Sequence, residues 1–366
     1  MSATVFDVAV VGAGPAGAAT ARRLALAGRR VVLLERSRFD VPRVGESLAP
    51  NVQPLLRELG VWPGFVALSP RPSWGTRSVW GEPEERAHSH VFHPFGCGWH
   101  VDRRAFDHLL ADAAVAAGAV LLTGETVRDA AFDDGLWHLP AQRLCARVLV
   151  DATGRSAKLA RHLGAKRLLF DRLVGVATRW TGVGETERGH LLVESAPDGW
   201  WYSAPLPEDG AMVTMLMTDA DLCATRRLHD TGQWMAAMRQ APSTWQRLAG
   251  ARRTSPPQAW NAHSQRMLSP GASGGPWLAV GDAALAVDPV SGSGVLRALR
   301  TAKAAAEAVE AVLRRPGDAA AVMAAYEADR DDECSAYLPE RARYYAAEPR
   351  FDSPFWRRRH LAGFRG

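Results

Sequence analysis

The chain has 366 residues, is 47% apolar, and carries 44 Lys and Arg against 39 Asp and Glu, for a formal charge of +5. That is ample for one large core or two intimately joined ones, and a mean hydropathy of −0.15, with no apolar run near the ~20 residues of a membrane span, excludes a transmembrane segment. The isoelectric point near 9.3 comes almost wholly from arginine, since Lys158, Lys166 and Lys303 are the only lysines; no basic run is interleaved with stacking aromatics, so no nucleic acid is expected as a partner.

An apolar run, Val5–Val11, leads into Gly12-Ala13-Gly14-Pro15-Ala16-Gly17, a predicted helix over Ala16–Ala27, a second strand over Arg30–Leu34, and then Glu35 and Arg36. Strand, tight turn, helix, strand and acid in this order form a dinucleotide-binding fingerprint. Gly12 permits the turn, Gly14 lets a pyrophosphate approach the backbone, and Gly17 lets the helix pack on the strand. Pro15 suits the first helical turn, where its missing N–H is no loss. Phosphate oxygens then meet the unpaired N–H groups of the helix start, and Glu35 is placed to accept hydrogen bonds from ribose hydroxyls. With a strand opening near Val5, no cleaved signal peptide is expected. Cys97, Cys145, Cys223 and Cys334 are scattered without paired spacing, so neither a disulfide framework nor a metal site is expected. A cytoplasmic protein follows.

A helix is predicted over Arg103–Ala117, with Ala105, Leu109, Ala113 and Ala116 on its apolar face, then strands at Ala119–Leu122, Leu136–Leu139 and Val148–Val150. Val174–Thr181, Gly189–Glu194, Gly199–Ala204 and Ala211–Thr218 read as successive strands of an antiparallel sheet, followed by helices Thr231–Arg239 and Ser243–Leu248. Trp277–Val280 is a further buried strand, Val295–Arg314 an alanine-rich helix, and Ala319–Tyr345 the last long helical stretch. The tail Phe355–Arg359 reads as a helix end capped by arginines. A nucleotide-binding layer is thus interrupted by a sheet and resumed near residue 277, which leaves a cleft between the two.

Two late segments select a flavin dinucleotide. Trp277–Ala284 is a strand running into Gly281-Asp282, where a carboxylate can hold ribityl hydroxyls. Asp288–Val295 brings Gly292, Ser293, Gly294 and Val295 to the start of the long helix, whose N-terminus can face the flavin N1/C2=O edge. The expected fold class is therefore α/β, a Rossmann-type FAD-binding layer with an inserted antiparallel-sheet substrate region. FAD-binding parts are expected at 1–70, 101–165 and 269–315, substrate-region strands at 71–100, an antiparallel substrate-binding region at 166–268, and a C-terminal helical segment at 316–366.

The N-terminal fingerprint, Arg103 within Val101–Asp107, Asp151-Ala152-Thr153-Gly154-Arg155 and Gly281-Asp282 together resemble the p-hydroxybenzoate-hydroxylase-like FAD proteins, over nearly the whole chain. Gly45-Glu46-Ser47-Leu48-Ala49-Pro50, Gly199–Pro205 and Arg350–Trp356 resemble the branch that holds flavin-dependent tryptophan halogenases, geranylgeranyl reductases and LodB-like flavoproteins. The resemblance implies FAD as cofactor, held by the fingerprint residues with Glu35, Arg36, Gly45, Ser47, Arg103, Val127, Asp151, Gly154 and the two late segments. NAD(P)H or reduced flavin from a separate reductase would serve as transient reductant. LodB-like proteins oxidise tryptophan within partner proteins, which implies an aromatic or apolar substrate, carried on a protein or peptide or free.

Trp200 and Tyr202 share one strand face and Trp201 takes the other, so Trp200 and Tyr202 are candidates for an aromatic wall over the flavin, while Trp201 reads as core. Glu46 and His100 are candidate proton-relay groups, although His100 equally reads as a surface or hydrogen-bonded structural histidine. Cys97 reads as a small buried residue. The halogenase lysine belongs in the stretch Arg43–Asp102, which contains none, and an arginine offers no free amine lone pair. The expected reaction is aromatic monooxygenation through a flavin C4a-hydroperoxide. A prenyl-type reductase, a halogenase and a non-catalytic electron-transfer flavoprotein are the alternatives.

Overall fold

The computed structural model describes residues 4–269 and 274–362; the extreme ends of the expected segments 1–70 and 316–366, and a few residues of 269–315, fall outside that range. Its first sheet is built on Thr4–Val11, which pairs in parallel with Val31–Glu35 on one side and Leu144–Asp151 on the other. Val120–Thr123 extends the sheet in parallel beyond Val31–Glu35. Leu144–Asp151 divides its far edge: Leu149–Asp151 pairs in parallel with Trp277–Ala279, whereas Leu144–Ala146 pairs antiparallel with Leu136–Leu139. Residues 277–279, far away in sequence, thereby re-enter the N-terminal sheet.

Both faces of this sheet are covered, as parallel strands require. Val8 and Val10 point into one core with Leu33, Val148 and Val150, under the helices Pro15–Leu26, Arg103–Ala116 and Gly294–Arg314. Ala9 and Val11 point into a second core with Val32, Leu34, Leu149 and Trp277. The Arg103–Ala116 helix corrects the expected apolar face: Phe106, Leu110, Ala111 and Ala114 are its buried positions, with Asp107, while Leu109 and Ala113 flank the core and Ala116 is exposed. The stripe is turned by one residue, because Phe106 is drawn against Phe65.

The second sheet runs Arg252–Arg253, Leu173–Thr181, Met212–Asp219, Gly199–Pro205, Leu191–Ala196, Gly75–Val79 and Arg86–Ser89, with Gln258–Asn261 also on Leu173–Thr181. Its pairings are antiparallel except that Gly75–Val79 joins Leu191–Ala196 in parallel. One face packs on the helices Thr231–Met238 and Pro242–Arg247 through Trp180, Trp201, Leu216, Trp234 and Leu248. The other carries Trp200, Met215 and Met217 against Tyr345, Phe355 and Trp356. Those three aromatics belong to the helices Ala319–Ala346 and Pro354–Ala362. Ser47–Leu48, Gly98–His100 and Arg71–Ser73 form a small three-stranded sheet that shares no strand with either large one. Its strands and the helices Val52–Glu58 and Trp62–Ala67 are too short to leave a periodic signal.

Candidate active site

The fingerprint forms a cradle whose glycines have different reasons. Gly12 has φ +107°, and a Cβ there would lie 2.3 Å from the Ala152 carbonyl oxygen; a Cβ on Gly17 would lie 1.9 Å from the Gly12 carbonyl oxygen. Gly14, by contrast, meets nothing within 4 Å, and it opens the helix Pro15–Leu26 with no side-chain cap. Open space in front of uncapped N–H groups fits a pyrophosphate. Glu35 is buried at the end of its strand, where Oε2 accepts from the Ala13 N–H at 2.9 Å and Oε1 accepts from the Ser37 N–H and hydroxyl. Burial raises its pKa, but these hydrogen bonds and Arg43 outweigh it and hold the carboxyl below its usual range. Oε1 is fully taken, since Arg43 also donates to it, but Oε2 has the single donor Ala13, and its second lone pair is left for a ribose hydroxyl. Arg36 is exposed beside it.

From Glu35 a chain of charges crosses the cradle. Arg43 donates to Glu35 at 3.2 Å and to Asp107 at 2.6 Å, and Asp107 accepts in turn from Arg103 at 3.2 Å. Arg103 also donates to the carbonyls of Val44 and Gly45. Gly45 has φ +96°, and a side chain there would meet the Arg103 guanidinium at 2.6 Å. Sequence reading missed Arg43 and Asp107, though the spacing of Asp107 four residues after Arg103 on one helix was a visible clue.

Asp151 is fully buried and its oxygens accept from the N–H groups of Thr153 and Ala160, so the carboxylate shapes the turn that carries Gly154. Val127 is buried in the second core. Asp282 is half-buried and faces Arg155 at 3.3 Å. The glycine loop after it is gripped from the long C-terminal helix: Asp288 accepts from Tyr345 at 2.7 Å and Arg341 at 3.2 Å, and its second oxygen accepts from the Val290 N–H. Gly292 (φ +60°) and Gly294 then stand exposed, with nothing within 4 Å of their Cβ positions, at the start of the helix Gly294–Arg314. Ser293 precedes that helix without a side-chain cap bond, and Val295 is in its first turn. Uncapped donors, open glycines and a facing carboxylate fit FAD along this line.

Glu46, just before the small sheet, and Tyr202, on the second large sheet, meet at a junction of the two. Glu46 is fully buried; its Oε2 accepts from its neighbour Gly45 N–H at 2.9 Å and from the Tyr202 hydroxyl at 3.0 Å, while Oε1 has no partner. Burial pushes the Glu46 pKa up, and burial with the nearby Glu46 charge pushes the Tyr202 phenol well above its usual value. Burial thus favours the protonated carboxyl more than in a free glutamate, and the unpartnered Oε1 is the atom available to give or take that proton. Ser47 lies on the small sheet, in register with His100.

His100 is neither a surface nor a hydrogen-bonded histidine. It is completely buried, both ring nitrogens lack partners, and burial with the charges of Arg247 and Arg71 lowers its pKa to about 3. Trp200 is also fully buried: its Nε1 donates to the Tyr345 hydroxyl, and its ring packs edge-on to Trp80. Trp201 lies in the opposite core against Trp234. Cys97 is half-buried at the core margin, less enclosed than expected. No group of three or more His, Cys, Asp or Glu suited to a metal occurs among the described residues.

Comparison with known proteins identifies the family and its cofactor. The FAD binding domain family matches residues 5–338. The FAD-dependent oxidoreductase LodB of Marinomonas mediterranea is 32% identical over 97% of each chain. Among solved structures, the myxobacterial chondrochloren halogenase CndH superposes with a TM-score of 0.85 at 26% identity, over 97% of this chain and 86% of that one. The peptidyl tryptophan dihydroxylase QhpG, a protein described as essential for tryptophylquinone cofactor biogenesis, gives 0.70 at 28% identity, over 97% and 79%. With the family's match spanning both halves of the cradle, this chain belongs to the FAD binding domain family and is a flavin-dependent oxidoreductase.

Proposed function

We propose that the chain is a monooxygenase that hydroxylates an aromatic, tryptophan-like group carried on a protein or peptide. The observation that carries this reading is the buried group at the sheet junction: it is a carboxyl paired with a phenol, Glu46 and Tyr202, and not an amine. No lysine occurs in Arg43–Asp102, and Lys303 pairs with Glu58 at the surface. The likeness to a peptidyl tryptophan dihydroxylase supports the protein-borne substrate.

Reduced FAD, when bound, supplies the oxygen-activating chemistry. The chain's own residues would do the rest. Gly14, in the turn that Gly12 makes possible, with Glu35, Arg103, Asp282 and the Gly292–Val295 helix start, would hold and orient the cofactor. Glu46 Oε1 would give or take a proton at the junction, with Tyr202 fixing the orientation of the carboxyl. Trp200, sealed beneath Trp80 and Tyr345, would keep water from the floor of the site. Incubation of the protein with reduced FAD, oxygen and tryptophan-containing peptides tests the reading. Oxygen-bearing peptide products by mass spectrometry are expected. Oxygen consumption that yields only peroxide with every aromatic peptide would count against it.

A further inference from the structure

The charges of Arg71, on the small sheet, Arg188 and Arg247 act on one another or on His100, and they are arranged asymmetrically. The arginine side chains are 20%, 7% and 1% exposed. The carboxylates facing Arg71 and Arg188 belong to Glu185 and Asp209, which are 71% and 91% exposed. Cations therefore sit inside and their counter-charges in solvent, where water screens them. Arg247 is the extreme case. Its Nη1 donates to the Ser203 carbonyl at 2.9 Å and hydroxyl at 2.8 Å, its Nη2 donates to the carbonyls of Glu187 and His190, and its Nε donates to Glu187. Neutral acceptors hold this buried charge, while the carboxylate of Glu187 stands off at 3.7 Å. A buried cation so placed favours a nearby anion.

The neighbouring donors lack acceptors. Arg71 and His100 are directly opposite across the small sheet and share a face. The Arg71 Nε and both nitrogens of His100 are buried without partners. Buried polar groups are nearly always hydrogen-bonded, so three adjacent unpartnered atoms in a positive interior point to a ligand. A neutral imidazole has one N–H to give and a guanidinium edge a second, and two donors from different residues suit an anion with two oxygens. The cluster is close to the Glu46–Tyr202 pair along the chain: Ser47, next to Glu46, is in register with His100, and Ser203, which holds Arg247, follows Tyr202 with its side chain on the opposite face of that strand.

We propose that Arg71 and His100, under the fixed charge of Arg247, receive a carboxylate of the substrate, an acidic side chain or chain end beside the aromatic group. The proposal rests on the aromatic-substrate reading above for what carries the carboxylate. Its test needs no turnover. The FAD-loaded protein is titrated at neutral pH with indole-3-acetate, indole-3-propionate and the two corresponding amides, followed by flavin absorbance and by calorimetry. At least one acid is expected to bind about tenfold more tightly than its amide. Arg71→Gln and His100→Phe each remove that preference while the amides bind as before, and Arg71→Lys keeps part of it.

Equal binding of acids and amides, no binding of any of the four, or a preference that survives both Arg71→Gln and His100→Phe overturns the proposal. Bromide that displaces the acid from wild type but not from Arg71→Gln supports the anion site; bromide binding without any acid preference overturns the carboxylate assignment. A clear acid preference with no hydroxylated product from any peptide would overturn the hydroxylase reading and leave the carboxylate site standing.

Discussion

In the proposed reaction Glu46 would give or take the proton. It is buried, its Oε2 accepts from Gly45 and Tyr202, and its Oε1 has no partner. Glu46→Gln preserves shape and removes the exchangeable proton, so it should leave FAD bound while product formation falls by about 10²–10⁴-fold, the usual contribution of a positioned acid or base. Flavin absorbance and product mass measured on one preparation check both halves. Tyr202→Phe should raise the Glu46 pKa further, because the carboxylate loses a donor, and the corresponding limb of the pH–rate profile should move to higher pH. His100 makes a separate statement about stability. Its pKa is lowered to about 3 in the fold, so the native state binds fewer protons than the unfolded chain between that value and the ordinary one near 6.5. Stability should therefore fall as pH drops through this window, by about 1.4 kcal/mol per unit at the steepest. Between pH 6.5 and 4.5 the melting temperature of wild type should fall faster with added acid than that of His100→Phe; parallel curves would contradict the assignment.

At the scale of elements, the glycine turn divides into structural and cofactor positions. A Cβ on Gly12 or Gly17 strikes backbone at 2.3 Å or 1.9 Å, whereas one on Gly14 meets no protein atom within 4 Å. Gly12→Ala and Gly17→Ala should thus lose folded protein, while Gly14→Ala should fold and melt like wild type when stripped of FAD but bind the cofactor more weakly. Calorimetry of the three stripped variants, followed by FAD titration, separates these outcomes. The second sheet rests on the C-terminal helices through Trp200, Tyr345, Phe355 and Trp356. Truncating a buried aromatic of this kind typically costs about 3–5 kcal/mol. Trp200→Ala should therefore lower the melting temperature sharply, whereas Trp200→Phe should keep most of the stability; a Trp200→Ala protein as stable as wild type would show that the ring is not sealed in the core.

At the scale of the whole molecule, the cradle is assembled from the N-terminal fingerprint, the Arg103–Ala116 helix and the segment after Trp277, so cofactor and fold should stabilise one another. Purified protein should be yellow, release about one FAD per chain on heating, and melt at a higher temperature as free FAD is raised above its dissociation constant. With reduced FAD, oxygen, bromide and an indole, no brominated indole is expected. An enzyme-dependent brominated product that disappears on mutation of any one of Lys158, Lys166 or Lys303 would overturn the assignment of an acid, and not an amine, at the junction.

The dinucleotide fingerprint, the acid after the second strand and the two long helices were all legible in the sequence. Each is a local device: a glycine forced by a turn, a proline at a helix start, a hydrophobic period sustained over several turns. Side chains that meet only because distant strands align were not legible. Glu46 reaches Tyr202 across 156 residues and Arg43 reaches Asp107 across 64, and no spacing in the chain announces either. Burial of a strand on both faces hid more: Met212–Asp219 is buried at every position, so alternation carries no record of which face meets which core. Local chemistry determined that this chain would bind a flavin dinucleotide. Only the tertiary structure decided which acid, phenol, imidazole and guanidinium stand together beside the cradle, because desolvation and charge act through space and not along the chain.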